Sequence, residues 1–153
     1  MKAAYLFWIA FSEAVGGLSG YLTREGMKIY AESAVKPFLT PPALAFPVVW
    51  TVLYALMGIS AARVYKASAS PDRTKGLRMF MLQLAVNFAW CFVFFTFREY
   101  MMSFAVLAAL VLFTAMMTVY FWRVDALSGY LQMPYIVWLI FAGYLNLGVW
   151  YLN

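Results

Sequence analysis

The sequence predicts an all-α integral membrane protein, a bundle of five transmembrane helices forming a single domain over residues 1–153. Three observations predict it. Of the residues, 66% are hydrophobic and only 11% charged, a balance that a water-soluble domain cannot hide from solvent. The apolar residues gather into five runs, each of about the 20 residues needed to cross about 30 Å of hydrocarbon. The joints between the runs leave no room for a soluble domain, and the tight ones set consecutive helices antiparallel and side by side.

The first span is expected over residues 3–22. Lys2 precedes it in the manner of a secretory signal, but Glu13 interrupts the run and no small-residue cleavage site follows. Gly16, Gly17 and Gly20 lie inside it without the Lys-Ser/Thr pair that a phosphate-binding loop requires. Glu13 is an acid within a span and so a functional-site candidate by default. Thr23 to Thr40 reads as a charged loop containing Gly26 and ending in Lys36-Pro37. The second span, 43–62, is introduced by Pro41-Pro42, which suit the start of a helix. Pro47 is expected about one turn inside, where it removes the hydrogen bond to the carbonyl of Ala43 and bends the helix beside Trp50.

Lys66 to Arg78 reads as a polar, basic linker with Ser68, Ser70 and Pro71. The third span follows over 79–97, and Arg98 to Tyr100 is a tight turn into the fourth, 101–122. Arg123 to Gly129 is a second tight turn, and the fifth span covers 130–152. Lys2, Arg63, Lys66, Arg73, Lys75, Arg78 and Arg123 fall on the side of the N-terminus, against Arg24, Lys28, Lys36 and Arg98 opposite. The positive-inside rule therefore predicts a cytoplasmic N-terminus, with the first loop and the C-terminus outside. The net charge of +5 follows from this loop pattern and from contact with anionic lipid, and no nucleic-acid motif accompanies it.

The missing residue types restrict the chemistry. With no His and a single Cys, there is no His-based metal site, no Ser-His-Asp or Cys-His machinery and no disulfide within the chain. Cys91, in the middle of the third span, reads as a small apolar core residue. What remains is an aromatic content of 20% and a few amides within the spans. Gln83, Asn87, Trp90 and Phe94 share one face of the third span. Tyr135, Trp138, Ala142 and Asn146 share one face of the fifth, and Trp50, Tyr54 and Met57 one face of the second. Rings with a few amides compose an apolar ligand pocket, and they equally compose a hydrogen-bonded seam between helices. Trp8, Trp122, Trp150 and Tyr151, near span ends, read as interfacial anchors. Ala85 and Ala89, and Gly16 and Gly20, are small pairs four apart that allow close helix approach, within one protomer or between two.

Three ordered blocks resemble the TspO, or translocator protein, family, also called tryptophan-rich sensory proteins and peripheral benzodiazepine receptors. The second-span pattern stands here as Pro41-Pro42, Phe46-Pro47, Val49, Trp50-Thr51 and Leu53-Tyr54. The third-span pattern stands as Asn87, Trp90 and Phe94-Phe95, and the fifth as Pro134-Tyr135, Trp138 and Leu145-Asn146. Lys36-Pro37 fits the basic-Pro step of the family's first loop.

For a bacterial member, located in the cell membrane, the resemblance implies a five-helix bundle, commonly a homodimer, with a ligand cavity beneath the first loop. It implies binding of tetrapyrroles, notably protoporphyrin IX, and of isoquinoline or benzodiazepine drugs. It also implies a slow degradation of the porphyrin that needs light, oxygen and cavity tryptophans but no metal or other cofactor. The tryptophans that match are Trp50 and Trp138, expected to flank the macrocycle with one as electron or hydrogen donor. Expected ligand contacts are Tyr30, Pro47, Tyr54, Gln83, Asn87, Trp90, Phe94, Tyr135, Ala142, Leu145 and Asn146, with Arg24, Lys28 or Lys36 attracting the propionates. A porphyrin sensor without turnover and a transporter of lipophilic ligands are the alternatives. Two departures stand out. Tyr30-Ala31 replaces the Trp-Tyr of many relatives, and no Lys or Arg follows Tyr144 or Tyr151, so the cholesterol motif of animal members is missing.

Overall fold

A computed structural model describes residues 1–153, all of them in helices and their connections. The helices are α1 (Lys2–Leu22), α2 (Arg24–Ser33), α3 (Ala45–Lys66), α4 (Pro71–Cys91), α5 (Tyr100–Val124), α6 (Ala126–Tyr130) and α7 (Met133–Leu152). A wide π-helical turn, Phe92–Thr96, continues α4, and its closing bond runs from the N–H of Phe97 to the carbonyl of Phe92 at 2.9 Å. Four helical stretches are long and apolar enough to cross a membrane: α3, α4 with its π-turn, α5, and α6 with α7. The 21-residue α1 lies outside that set, diluted by Ser12, Glu13, Ser19 and its glycines, yet it packs along α3.

The α1–α3 contact is antiparallel. Trp8 meets Tyr65 at one end, with ring centroids 5.7 Å apart, and Gly16 lies against the ring of Tyr54 further along. Between them, Gly58 lets the two backbones touch, since a Cβ there would collide with the main chain of Ile9. Small residues let helices approach closely enough for dispersion to hold them in lipid, where apolar burial supplies no drive. The other major pairs are α4 with α5 and α5 with α7. At the end remote from α2, Arg63 binds Asp125 through two bonds of 2.7 and 2.9 Å, and Asp125 also caps α6 through the N–H and hydroxyl of Ser128. The arginine and the cap hold the Asp125 carboxyl down at about 2.

Several boundaries differ from expectation. The loop 23–40 contains the ten-residue helix α2, whose four charged residues masked it in the hydropathy pattern. The linker 66–78 is mostly the start of α4, with Ser70 accepting from the N–H of Arg73 as cap and Pro71 at the first helical position. The turn 123–129 houses α6. Helix α3 begins at Ala45, two residues later than expected, which places Pro47 in its first turn. The first four N–H groups of a helix have no partner within it, so Pro47 removes no bond of the helix.

Candidate functional site

A cavity of about 620 Å³ lies beneath α2, between α1, α3, α4 and α7. Two aromatic groups face it. On the α3–α7 side, Trp50 meets Trp138 edge to face with centroids 6.4 Å apart at 88°, and Phe46 and Tyr54 extend that wall. On the α4 side, Trp90 stacks on Phe94 at 5.1 Å and 29°, and Phe95 and Tyr30 close around Phe94. The π-turn makes this second group possible, because one extra residue per turn shifts the side chains that follow it and brings Phe94 and Phe95 both into the wall.

A polar spine runs behind the rings. The Nδ2 of Asn87 donates to the hydroxyls of Tyr54 and Tyr135, both at 3.2 Å, and the Tyr135 hydroxyl in turn donates to Oε1 of Gln83 at 2.8 Å. The indole N–H of Trp90 donates to Oδ1 of Asn146 at 3.1 Å, and Nδ2 of Asn146 donates to the carbonyl of Tyr100 at 2.7 Å. Side-chain amides thus fix the phase of α4 against α3 and α7, and of α7 against α5. Two buried polar atoms of the wall have no partner in the protein, Oδ1 of Asn87 and the indole N–H of Trp138. An unpaired buried polar atom costs about 1–3 kcal/mol, so the wall carries two such penalties behind its rings.

Of the expected contacts, Tyr30, Pro47, Trp50, Tyr54, Asn87, Trp90, Phe94, Trp138, Ala142, Leu145 and Asn146 line the cavity together, and so does Lys36. Gln83 and Tyr135 do not: they are buried behind the wall as supports for Asn87. Arg24 and Lys28 point to solvent on α2, with Arg24 held over the ring of Tyr21. The ammonium of Lys36 caps the end of α2 through the carbonyls of Tyr30, Ala31 and Ala34 at 3.1–3.3 Å, so its charge is already engaged. Burial, then the neighbouring Tyr100, raises the pKa of the Tyr30 phenol and keeps it neutral. Trp50 and Trp138 touch each other, which leaves no slot between them. They form one wall instead of two flanking faces.

The glycine face of α1 escaped the sequence reading. Glu13, Gly16, Gly17, Ser19 and Gly20 line the cavity, and Cys91 joins them through a 3.8 Å contact with the hydroxyl of Ser19. Glycines leave no side chain to mark a site; the only signal available was their spacing on the same face as Glu13.

The lid over the cavity is fastened on two sides. Gly26 of α2 sits directly on the backbone of Phe95 in the π-turn, where a Cβ would not fit. The connection after α2 is tied to α7: Asn153 pairs with Val35, the Tyr144 hydroxyl donates to the carbonyl of Phe38, and Pro37 rests on Gly148. An outer apolar groove of about 530 Å³ runs between α3 and α7, and Trp138 lines both this groove and the cavity.

An all-helical chain with apolar membrane-length helices, enclosing an aromatic cavity under a strapped lid, defines an integral membrane protein built around an internal cavity. The TspO/MBR family pattern matches residues 5–152, and the chain belongs to that family. Protein CrtK of Rhodobacter capsulatus is 39% identical over 141 residues, covering 92% of this chain and 87% of that protein. The tryptophan-rich protein TspO of Chlorobaculum tepidum is 31% identical over 92% of this chain and 89% of its own length. Human translocator protein is 33% identical over 86% of this chain and 79% of its own length.

Proposed function

We propose that the protein binds protoporphyrin IX, and drug-like isoquinolines or benzodiazepines, in this cavity, and that it degrades the porphyrin when light and oxygen are present. The observation that carries the reading is the pair of aromatic walls, each with a tryptophan, enclosing a space within the range of small-molecule pockets. A macrocycle slotted between the walls presents one face to Trp50 and the other to Trp90 and Phe94. Solvent at the mouth favours propionates pointing toward the lid. The porphyrin is itself the light absorber, so the protein's part is to hold an oxidisable indole against it, with dioxygen as the oxidant consumed in opening the ring.

The test is illumination of the purified protein with protoporphyrin IX, followed by mass analysis. A defined ring-opened product, lost when Trp50 and Trp138 are both replaced by Phe, is expected. Equal loss of the porphyrin band in that double variant would overturn the catalytic role. Binding without turnover in the native protein would leave the sensor reading.

For the membrane arrangement, α1 runs the length of α3 in the antiparallel sense, so we infer that it crosses with it as a fifth span. Lysine and arginine counts then favour an N-terminus in the cytoplasm of a bacterial cell and the lid outside. Ala85 and Ala89 are exposed on α4, whereas Gly16 is used against Tyr54, which favours α4 as the face of a homodimer.

A further inference from the structure

We propose that the cavity seats a positively charged group, the protonated amine of an aromatic ligand, with Glu13 as its counter-ion and the rings of Trp50 and Tyr54 beside it. The inference rests on the cavity being the ligand site and names a ligand class for its deep end. Helical phase puts Glu13 there. At 3.6 residues per turn, Gly16, Gly17 and Gly20 all fall within about 60° of Glu13 around α1, and all four line the cavity. This stripe therefore offers a single side chain, a carboxyl, among three glycines. A Cβ at Gly17 or at Gly20 would meet no atom within 4 Å, so no neighbour on the stripe screens the carboxyl from the space.

The charge of Glu13 is unmatched within the chain. Glu13 and Lys36 are the only charged residues that line the cavity, and the Lys36 ammonium is held by three carbonyls at the end of α2. The one ion pair of the protein joins Arg63 to Asp125, at the end remote from α2. An acid within a span faces a cavity or the bundle interior and pairs with another group there. Glu13 has the cavity and lacks the partner, and a cationic ligand supplies it.

The rings at this depth favour the same charge. Gly16, one turn from Glu13, lies against the Tyr54 ring, and Trp50 is 5.5 Å from Tyr54 at a tilt of 32°. The faces of such rings carry negative potential and attract a cation, most strongly where water is excluded. A carboxylate next to aromatic faces thus suits an ammonium group and repels an acidic one. Glu13 lies ten residues before Thr23, where α1 ends, which is about 15 Å along the helix. A ligand with both kinds of group is oriented, its amine deep against α1 and its acids at the mouth.

The experiment titrates full-length protein in detergent with pyrenemethylamine, cationic at neutral pH, and with pyrenemethanol, its neutral counterpart, read by energy transfer from tryptophan to pyrene. Glu13→Gln removes the charge and keeps the shape. It is expected to weaken the amine about tenfold more than the alcohol, a difference of about 1.4 kcal/mol. Partitioning into detergent is common to both proteins and cancels in that comparison. Equal effects on the two compounds overturn the counter-ion role. In the native protein, which needs no substitution, dicyclohexylcarbodiimide as a lipid-soluble carboxyl reagent is expected to label Glu13, and the amine to slow that labelling more than the alcohol does. Absence of labelling, or equal slowing by both compounds, also overturns the role. Protoporphyrin IX binding without any preference for the amine overturns the cation site alone, whereas native protein that binds neither protoporphyrin IX nor the pyrene compounds overturns the cavity as a ligand site.

Discussion

Asn153 closes on both backbone polar groups of Val35: its Oδ1 accepts from the Val35 N–H at 2.9 Å and its Nδ2 donates to the Val35 carbonyl at 2.8 Å. This is a side-chain copy of strand pairing, formed 118 residues apart. Replacing Asn153 by Ala is expected to lower the free energy of opening the segment 35–38 by about 1–2 kcal/mol. Hydrogen exchange should accelerate there and not in α5. Unchanged protection at Val35 would mean that Pro37 on Gly148 holds the lid unaided.

Two glycines on the α1–α3 pair should respond to alanine in opposite directions. At Gly58 the new methyl meets the backbone of Ile9, which cannot move aside, and a loss of about 1–3 kcal/mol is expected. At Gly17 it meets nothing, and the reduced backbone freedom of alanine should stabilise the helix by about 0.5–1 kcal/mol. Thermal unfolding in detergent distinguishes the two. A destabilised Gly17→Ala variant would show that the outer face of α1 is packed.

Asp125 gives the fold an acid-sensitive joint. Its carboxyl titrates at about 2 in the folded chain, against an ordinary unfolded value of about 3.9. The stabilisation is therefore complete above about pH 4 and is lost as pH falls through the folded value. The two side chains retain 32% and 28% of their exposure, so solvent screening limits the gain to about 1 kcal/mol. Asp125→Asn should lower the melting temperature at pH 6 and flatten its decline between about pH 4 and 2. An equally steep decline in the variant would locate the acid sensitivity elsewhere.

Asn146 is the common acceptor for Trp90 and Ser103 and the donor to Tyr100. Asn146→Leu strands the buried indole N–H of Trp90, while the Tyr100 carbonyl keeps the Ser103 hydroxyl, and a cost of about 1–3 kcal/mol is expected. The emission of Trp90, isolated by replacing the other tryptophans with Phe, should shift. An unchanged spectrum and melting point would rule Asn146 out as the link between α4 and α7.

The helical phase of Asn87, Trp90 and Phe94 could be read from spacing alone, because the 3.6-residue repeat fixes which residues share a face. Depth could not. Gln83 lies one turn below Asn87 on the same face, where the bundle has closed, so it supports the wall and does not line it. Tyr135 stands in the same relation to Trp138. The basic residues of the first loop were assigned by proximity in sequence, but α2 turns Arg24 and Lys28 outward and spends Lys36 on its own carbonyls. Pro47 misled because its effect depends on where α3 begins, and hydropathy does not register a two-residue shift. The apolar lengths were legible since lipid thickness sets them; the helical character of residues 71–78 was not, because a cap and a proline begin that helix in a polar stretch.

The contacts also divide the molecule unequally. Helices α1 and α3 form one tightly apposed pair, α4, α5 and α7 form a second group, and the link between α3 and α7 runs through aromatic rings with little close backbone approach. The cavity occupies the joint between these two bodies and not the interior of either. Its width is then set by the angle at which the bodies meet. On the proposed function, a thin planar macrocycle and a bulkier drug would be gripped in turn by rolling ring edges over one another, with no helix unwound and no backbone hydrogen bond exposed to lipid.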